Sequence, residues 1–364
     1  MKLAIIGAST GQTSLTLKAK ELGHTVISFA WGEGAVCKNI ADKFYPISIL
    51  ETEKIIEICK QEGVEGVVSN ASDLTAEICA EIATALGLNT TNVEAIRLIK
   101  NKLAVRERTN DIPGLSKVKS FCYTGAEEIP VPCVIKPATG AGKVGVTFVG
   151  QPSDLPFAMD YIKQVPGHTI QVEEFIGGVE FSVESISYKG EHYVIQITDK
   201  ENDGAPHFAE LGEHQPSSLP EDVKERIRKV VPIILSRIGY TDGASHIEMK
   251  YNNNNLYLIE VNPRGGGGQI SELVPLSTGY DYFKGMIDVA LGIFEMKELP
   301  RTIKHAGVFY LCEQRINRLK YFQEKQPWEV QKNYNPSVPI NKSLNSYDTA
   351  GWITYCSDKR IEID

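Results

Sequence analysis

Two glutamates in neighbouring strand-like segments are the first candidates for chemistry in this sequence. The segments are separated by four asparagines, which favour a tight turn because Asn tolerates a left-handed backbone. With a three-residue loop over 253–255, Glu248 would lie opposite Glu260, and His246 would lie opposite Asn262. Side chains alternate across a strand, so this register places all four on one face of a sheet.

Two carboxylates that face each other across a sheet repel, and a divalent cation between them reverses that effect. Mg²⁺ prefers oxygen ligands and commonly combines one or two carboxylates with the phosphates of a substrate. We therefore predict a metal site formed by Glu248, Glu260 and the amide oxygen of Asn262. Arg264 follows after a proline and can bind phosphate or carboxylate, and four glycines after it allow close approach of a backbone. The alternative is a solvated sheet face whose acids are incidental.

A phosphate-binding segment is predicted upstream of this hairpin, in the sequence IKPATGAGKVGV. It offers a strand lysine, Lys136, and a glycine-rich turn with Gly140, Gly142 and Lys143, whose exposed N–H groups could hold phosphate oxygens. It is not a Walker A sequence, because no G-K-[ST] follows at the required spacing. Lys102 stands at the start of a predicted helix. Taken alone, these features fit a flexible hairpin loop with one buried-stem lysine better than a phosphate site.

A third candidate is the strand end QVEEFIGGVE, which could contact an adenine and a ribose. The backbone around Glu174, Phe175 and Ile176 would supply one donor and one acceptor, with Glu173 close by. Glu180 would accept hydrogen bonds from ribose hydroxyls. The alternative is an ordinary strand, bulge and strand without a ligand.

The elements that would position these residues fall into two regions. The first hundred residues alternate strand and helix patterns with short loops, which predicts a doubly wound parallel sheet. Its elements are strand 2–6, helix 12–22, strand 24–30, helix 52–63, strand 66–70 and helix 73–87. From about residue 100 the pattern becomes α+β with antiparallel strands. The last 65 or so residues show only weak strand patterns, and no chemistry is predicted for them.

Composition excludes several classes of protein. The formal net charge of −8 disfavours non-specific nucleic-acid binding, which depends on lysine and arginine. Seven cysteines lack any C-x-x-C pair, so neither a disulfide framework nor a structural zinc site is predicted. No apolar run is long enough to span a membrane or to form the core of a signal peptide. We expect a cytoplasmic protein that binds neither nucleic acid nor membrane.

The order of the motifs resembles that of the ATP-grasp superfamily over about residues 1–295. The sequence N-K at 101–102 is followed by I-K-P, G-A-G-K-V-G-V, V-E-E-F-I-G-G-V-E, H-I-E and E-V-N-P-R. Further stretches resemble most the branch that contains L-amino acid ligases and carbamoyl-phosphate-synthase-like proteins. They are G-A-S-H-I-E at 243–248, T-D-K at 198–200, E-L-G-E-H-Q-P-S at 210–217 and the G-G-G-G-Q-I after Arg264. The resemblance implies a pre-ATP-grasp α/β domain over 1–98, a two-lobed ATP-grasp domain over 99–296 with a lid lobe near 115–175, and a C-terminal segment over 297–364 of unknown role.

The resemblance also implies a role for each matching residue, with ATP and Mg²⁺ as cofactors and Mn²⁺ as a substitute. The residues implied in nucleotide binding are Lys102, Lys136, Gly140, Gly142, Lys143, Glu173, Glu174, Phe175, Ile176 and Glu180. The implied metal ligands are Glu248, Glu260 and Asn262. Arg264 and His246 are the implied catalytic residues, and Glu213 would join His246 near the acceptor substrate. Related enzymes are often dimers, so a homodimer is expected.

The implied function is an ATP-dependent carboxylate–amine ligase that activates a small carboxylate, such as an amino acid, as an acyl phosphate. One alternative is a carboxylase or carbamoyl-phosphate-type enzyme that uses bicarbonate, and another is a non-catalytic ATP-binding regulatory protein. A dinucleotide site in the first domain is disfavoured. The turn there is G-A-S-T-G-Q instead of G-x-G-x-x-G, and Phe29-Ala30-Trp31 stands where an acid is expected.

Overall fold

The N-terminal region is a four-stranded parallel sheet covered by helices on both faces. The computed structural model describes residues 1–70, 72–140, 142–165, 169–343 and 348–363. The first elements are β1 (Lys2–Ile6), α1 (Thr13–Glu21), β2 (Thr25–Phe29), β3 (Lys43–Tyr45), α2 (Thr52–Glu62), β4 (Gly66–Val68) and α3 (Asp73–Leu86). The strand order is β3-β2-β1-β4, and all pairs are parallel. The predicted doubly wound sheet is confirmed, with β3 as an unpredicted edge strand.

Alternation along β1 explains why this sheet is covered on both sides. Leu3 and Ile5 pack with α1 and with the later helix Tyr282–Ala290, whereas Ala4 and Ile6 pack with α2 and α3. These four side chains are fully buried. A parallel strand that is buried on both faces is apolar at successive positions, as the sequence KLAII is.

Two helices lead into a second four-stranded sheet, which we call the small sheet. The next elements are α4 (Val93–Lys100), α5 (Lys102–Thr109), β5 (Ser120–Tyr123), β6 (Cys133–Pro137), β7 (Thr147–Val149), α6 (Leu155–Lys163) and β8 (Ile170–Glu174). The strand order is β5-β8-β6-β7, and the pairs are antiparallel. Its core joins Ile135 and Val172 to Ala158 and Ile162 of α6. This sheet lies within the range predicted for a lid lobe, and the domain boundaries themselves stay a prediction.

The remaining strands form one eight-stranded antiparallel sheet. Its strands are β9 (Val179–Tyr188), β10 (Glu191–Asn202), β11 (Glu210–Gln215), β12 (Gly243–Asn252), β13 (Asn255–Asn262), β14 (His305–Leu311), β15 (Glu329–Tyr334) and β16 (Gly351–Ser357). The helices are α7 (Glu221–Arg237), α8 (Ile270–Thr278), α9 (Tyr282–Ala290) and α10 (Leu319–Gln323). The order is β13-β12-β9-β10-β11-β14-β16-β15, so the C-terminal segment supplies three strands.

The two faces of this central sheet differ in chemistry. On the back face Val183 of β9 and its partner Ile247 of β12 pack against α7. On the other face, which we call the cleft face, β9 and β12 carry Glu180 opposite Lys250 and Glu184 opposite His246. The predicted mixture of α/β and α+β regions with antiparallel sheets is therefore confirmed. Among the described residues no helix is long and apolar enough to cross a membrane.

Candidate active site

The β12–β13 hairpin brings the two predicted glutamates together, although its turn differs from the prediction. The loop has two residues, Asn253 and Asn254, with positive φ angles of 47° and 65°. The expected three-residue loop was therefore wrong. A bulge at Ile259 of β13 shifts the register by one residue and restores the pairing of Glu248 with Glu260. A two-residue turn followed by a bulge thus gives the same alignment as a three-residue turn.

A cleft of about 790 Å³ lies between the small sheet and the cleft face of the central sheet. Most of the predicted nucleotide-binding residues line it, together with both glutamates of the hairpin. The predicted residues in its lining are Lys102, Lys136, Gly140, Lys143, Glu173, Glu174, Phe175, Ile176, Glu180, Glu248 and Glu260. Gly142 is described but is not in the lining, and Ala141 of the predicted lid loop lies outside the described residues. The sequence thus identified one coherent cleft, while the individual roles stay predictions.

Lys136 is held in the cleft by a buried ion pair. Its Nζ lies 2.6 Å from Oε1 of Glu173, and the Nε of Arg106 lies 2.9 Å from Oε2 of the same carboxylate. Burial alone would raise the pKa of Glu173, but Arg106 and Lys136 lower it to about 2. The carboxylate of Glu173 is therefore ionised, and both of its oxygens contact cationic side chains. Contact with adenine, the role implied for it by the resemblance, stays a prediction.

Each glutamate of the hairpin has a lysine partner. Lys102 Nζ lies 2.9 Å from Oε1 of Glu260, and Lys200 Nζ lies 2.7 Å from Oε1 of both Glu248 and Glu210. Burial would raise the pKa of Glu248, but Lys200 and His246 hold it well below its usual range. In this structure the two lysines balance the negative charge of these carboxylates, which we had expected a metal ion to balance. No cluster of three or more His, Cys, Asp or Glu side chains arranged for a metal exists among the described residues.

The glycine-rich loop between β6 and β7 is attached to the central sheet through Lys143. The Lys143 Nζ donates to the carbonyl oxygen of Phe208 at 2.9 Å and lies 3.4 Å from Glu180 and 3.5 Å from Glu210. Lys143 has a φ of 60°, which a lysine adopts only at some cost. The loop is therefore held across the cleft by contacts of one cation with two acids and a carbonyl.

The other end of the cleft is apolar and aromatic. Its walls include Val134, Val146 and Ile259, and the rings of Phe175 and Phe208 are stacked with centroids 6.0 Å apart. The Nζ of Lys250 lies 5.4 Å and 5.2 Å from these ring centroids and donates to the carbonyl of Ile176 at 3.0 Å. An aromatic wall beside a strand end suits a flat heteroaromatic group.

His246 lies at the buried side of the hairpin acids. Its Nδ1 is 2.7 Å from Oε1 of Glu184, and its Nε2 is 3.3 Å from Oε1 of Glu248. Burial would lower the pKa of His246, but the two carboxylates raise it to about 9. The imidazole is therefore a cation at neutral pH, and it links the cleft to Glu184. The predicted pairing of His246 with Asn262 is confirmed.

Arg264 contacts the N-terminal region instead of the cleft lining. Its Nε donates to Oδ1 of Asp73 at 2.6 Å, and its Nη2 donates to Oδ1 of Asn262 at 3.2 Å. Glu260 and Glu248 are close enough to raise its pKa together with Asp73, although burial opposes them. The amide oxygen that was predicted to bind metal thus accepts from Arg264 in this structure. The ligand role of Asn262 and the catalytic role of Arg264 stay predictions.

The glycines after Arg264 are explained by close packing. A Cβ on Gly265 would lie 2.6 Å from the side-chain oxygens of Asn70 and Ser271, and one on Gly268 would lie 2.3 Å from the hydroxyl of Tyr310. The same hydroxyl donates to Glu213 at 3.0 Å. The loop therefore passes between the N-terminal region and the C-terminal strand β14, where side chains would not fit.

Several residues of the cleft were not predicted from the sequence. They are Arg106, Lys200, Phe208, Glu210 and Lys250. Lys200, Glu210 and Lys250 are charged and lie on strands next to motif residues. The alternation of side chains along each strand could therefore have predicted that they point to the cleft face. For Arg106 and Phe208, which lie on a helix and in a loop, the sequence contains no such signal.

Comparison with known proteins agrees with this geometry. A family model of the ATP-grasp domain matches residues 129–272. Alanine–anticapsin ligase of Bacillus subtilis is 25% identical over 319 residues, which cover 76% of this chain and 66% of that relative. The chain thus spans slightly less than two thirds of the length of that curated relative.

Solved structures show the same fold. The L-amino acid ligase from Bacillus licheniformis superposes with a TM-score of 0.81 at 22% identity, covering 98% of this chain and 94% of that one. The biotin carboxylase domain dimer of Hydrogenobacter thermophilus 2-oxoglutarate carboxylase, solved with MgADP and bicarbonate, gives a TM-score of 0.76 at 18% identity and covers 98% and 86%. Residues 129–272 therefore match the ATP-grasp domain, and the chain as a whole shares its fold with ligases of known structure.

Proposed function

We propose that this protein is an ATP-dependent carboxylate–amine ligase. A carboxylate oxygen attacks the γ-phosphorus of ATP, the bond to the β-phosphate oxygen breaks, and ADP leaves. An amine then attacks the carbonyl carbon of the acyl phosphate, inorganic phosphate leaves with the C–O electron pair, and the amine nitrogen loses a proton. The sum is one amide, one ADP and one phosphate for each ATP.

The observation that supports this proposal most directly is the division of one cleft into an apolar and a charged end. Phe175 and Phe208 offer a flat apolar wall at one end. Elsewhere in the same lining Lys102 lies 2.9 Å from Glu260, which is paired with Glu248, and Lys136 is paired with Glu173. A nucleotide has the same division, because its base is flat and its phosphates are charged.

The donor set fits a magnesium ion that arrives with the nucleotide. Glu248 and Glu260 are paired on one face, and Asn262 adds an amide oxygen two residues further along β13. Two carboxylates are too few for an all-protein cage, but Mg²⁺ commonly takes one or two and completes its shell with phosphates and waters. When bound, Mg²⁺ would neutralise phosphate charge during transfer. Displacement of Lys102 and Lys200 from these carboxylates is then expected.

The chain's own residues supply positioning and charge. Phosphoryl transfer needs little covalent help from a protein, so lysines and an arginine near the transferred group are sufficient. Lys102, Lys136 and Lys143 lie around the cleft, and Arg264 lies beyond the hairpin acids. The loop that carries Lys143 would shield the acyl phosphate from water.

We further propose that the carboxylate substrate is an amino acid. The names of alanine–anticapsin ligase and of the L-amino acid ligase support this choice, since the first is similar in sequence and the second shares the fold. Bicarbonate is the alternative carboxylate, since it is bound in the biotin carboxylase domain that also shares the fold. We also propose that the protein forms a homodimer, as that carboxylase domain does.

Release of ADP over a matrix of amino acids, other small carboxylates and amines tests the proposal. We expect release only with particular pairs, with equal amounts of ADP, phosphate and a new amide detected by mass spectrometry. With the carboxylate but no amine, hydroxylamine should trap the acyl phosphate as a hydroxamate. Glu260→Ala protein, purified in the same way, is the control for contaminating ATPases.

Two outcomes would contradict the proposed reaction. Release of ADP with bicarbonate alone would indicate a carboxylase-type enzyme. Binding of ATP without release of ADP for any pair would indicate a regulatory ATP-binding protein.

A further inference from the structure

One face of strand β10 points towards the cleft, and side chains of the C-terminal segment contact the other face. We define the C-terminal segment as the described residues 297–343 and 348–363. Asp199 and Glu201 share the back face of β10, and Asp203 follows directly after the strand. Each of these three acids is contacted by a side chain of the C-terminal segment, as described below.

Glu201 receives the strongest of these contacts. The Nη2 of Arg318 lies 2.8 Å from both carboxylate oxygens, and the Nη2 of Arg315 lies 3.1 Å from Oε1. Burial would raise the pKa of Glu201, but the neighbouring His214 and hydrogen bonds from Arg318 and Arg315 lower it to about 2. Arg318 also donates to the carbonyl of Leu211 on β11. Arg318 therefore links β10 to β11 on the back face, and Arg315 contacts β10.

The flanking acids are held in the same way. The Nη1 of Arg360 donates to Oδ2 of Asp199 at 2.5 Å, and the amide nitrogen of Gln314 donates to Oδ2 of Asp203 at 2.9 Å. Asp199 is buried, and burial of an unpaired carboxylate would be costly. The contacts extend along one face of β10 and into the loop that follows it.

On the opposite face of β10, the neighbouring residues Lys200 and Asn202 contact acids that line the cleft. Lys200 Nζ lies 2.7 Å from both Glu210 and Glu248, and the Nδ2 of Asn202 lies 3.4 Å from Oε2 of Glu180. Adjacent strand residues point to opposite faces, so a shift of Glu201 moves Lys200 and Asn202 with it. The position of the hairpin acid Glu248 thus depends on a strand that the C-terminal segment anchors.

The loop 203–209, which begins at Asp203, contacts the glycine-rich loop and the strand β7 that follows it. The carbonyl of Phe208 accepts from Lys143 at 2.9 Å, and the carbonyl of Pro206 accepts from the backbone N–H of Phe148 at 3.0 Å. Contacts therefore connect Gln314 to Asp203, and the loop that begins at Asp203 to the glycine-rich loop and β7.

We propose that the C-terminal segment positions the nucleotide cleft through Glu201, and that Arg315 and Arg318 are its positioning residues. The inference rests on the proposed function, because it concerns the cleft assigned there to ATP. Neither arginine lines the cleft. Their removal should therefore weaken ATP binding through β10, while leaving the affinity for the carboxylate and amine substrates nearly unchanged.

The test compares two arginines of the C-terminal segment. Arg315→Gln removes a contact to Glu201, whereas the control Arg301→Gln removes an exposed pair with Glu298. We expect Arg315→Gln to raise the Kd of a non-hydrolysable ATP analogue with Mg²⁺ by about 10-fold, the scale of losses from outer-shell partners. The KM for ATP should rise by a similar factor, the KM for the other substrates should stay, and Arg301→Gln should match wild type.

Two further variants separate positioning from general loss of structure. Arg315→Lys keeps the charge and should recover part of the affinity. Glu201→Gln keeps the shape of the side chain and should weaken binding as Arg315→Gln does, with no further loss in the double variant. If Arg315→Gln also lowers the Tm, loss of structure would explain its weaker binding equally well. The affinity of Glu201→Gln for the ATP analogue then decides whether the inference holds.

Wild-type affinity in both Arg315→Gln and Glu201→Gln would overturn the inference and leave the proposed function standing. An equal rise of all three KM values would also overturn it. Failure of the wild-type protein to bind the ATP analogue would overturn the proposed function and this inference with it.

Discussion

The N-terminal parallel sheet and the eight-stranded central sheet differ in the kind of side chain that they bury. In the first sheet successive residues such as Ile5 and Ile6 are buried on the two faces, among apolar side chains. In the second, the back face is apolar where β9 and β12 pack against α7, and the cleft face carries buried charges such as Glu184, Lys200 and Glu213. Apolar burial stabilises a scaffold, whereas buried charge is costly unless it is paired. The difference therefore separates the scaffold from the working surface.

The charges of the cleft face are arranged so that opposite signs are neighbours. Lys250 pairs across the strands with Glu180, and Lys200 pairs with Glu213. Such a surface offers both cations for phosphates and acids for a metal. The buried residues of the four N-terminal strands carry no charge, so substitutions in the two sheets should have different consequences.

The largest effect is expected from Glu260→Ala on the cleft face. Loss of one of the paired carboxylates should lower ATP turnover by about 10²–10³-fold or more, the scale found when a charge-stabilising group is removed. The Tm should change little, because Glu260 is only partly buried and its partner Lys102 can reach solvent or Gly140. Turnover and Tm are measured on the same preparation. Unchanged turnover would falsify the metal assignment.

A substitution in the N-terminal sheet should give the reverse pattern. Ile27→Ala truncates a fully buried side chain of β2 and should lower the free energy of unfolding by about 2–5 kcal/mol. The kcat should stay near that of wild type at temperatures where the variant is folded. Leu17→Ala, at an exposed position of α1, is the matched control. A strong fall in kcat for folded Ile27→Ala would mean that the scaffold takes part in catalysis.

Lys136→Met tests the charged end of the cleft directly. The variant keeps an apolar stem but removes a cation that we place at the phosphates. Loss of one charged hydrogen bond, about 1.5–3 kcal/mol, corresponds to an affinity lower by about 10- to 100-fold. Calorimetric titration with an ATP analogue and Mg²⁺ measures it, and Lys163→Met on the exposed side of α6 is the control. Equal affinity in the two variants would refute the role of Lys136.

The last effect concerns pH and the buried Glu213. Burial and the neighbouring Glu210 raise the pKa of Glu213 to about 8, above the value near 4.3 of an unfolded carboxyl. Its contribution to stability is therefore complete below about pH 4.3 and is lost as pH rises towards 8. Glu213→Gln cannot ionise and should escape this loss.

Urea unfolding of wild type and Glu213→Gln at several pH values measures the difference. Between pH 5 and 8 the wild type should lose stability relative to the variant by up to about 1.4 kcal/mol per pH unit. Parallel profiles would show that Glu213 does not titrate in this range.

The comparison of two ribbons in the central sheet shows how much of the site could be predicted. The β12–β13 hairpin was found because Asn residues mark its turn and apolar residues flank its acids. Strand β11, with the sequence ELGEHQ, was missed because most of its residues are polar and it is buried only through tertiary pairing. Glu210 and its contact with Lys200 were therefore missed as well.

Sequence alone determined the elements whose apolar period is strong and the residues whose types suit a magnesium nucleotide. It determined that Glu248 and Glu260 belong together, because strand alternation and a short turn leave few registers. Tertiary structure alone decided that a bulge at Ile259, and not a longer loop, produces this pairing. It also decided that the C-terminal strands complete the central sheet. The physical reason is that turns and periods are local, whereas the pairing of distant polar strands depends on what surrounds them.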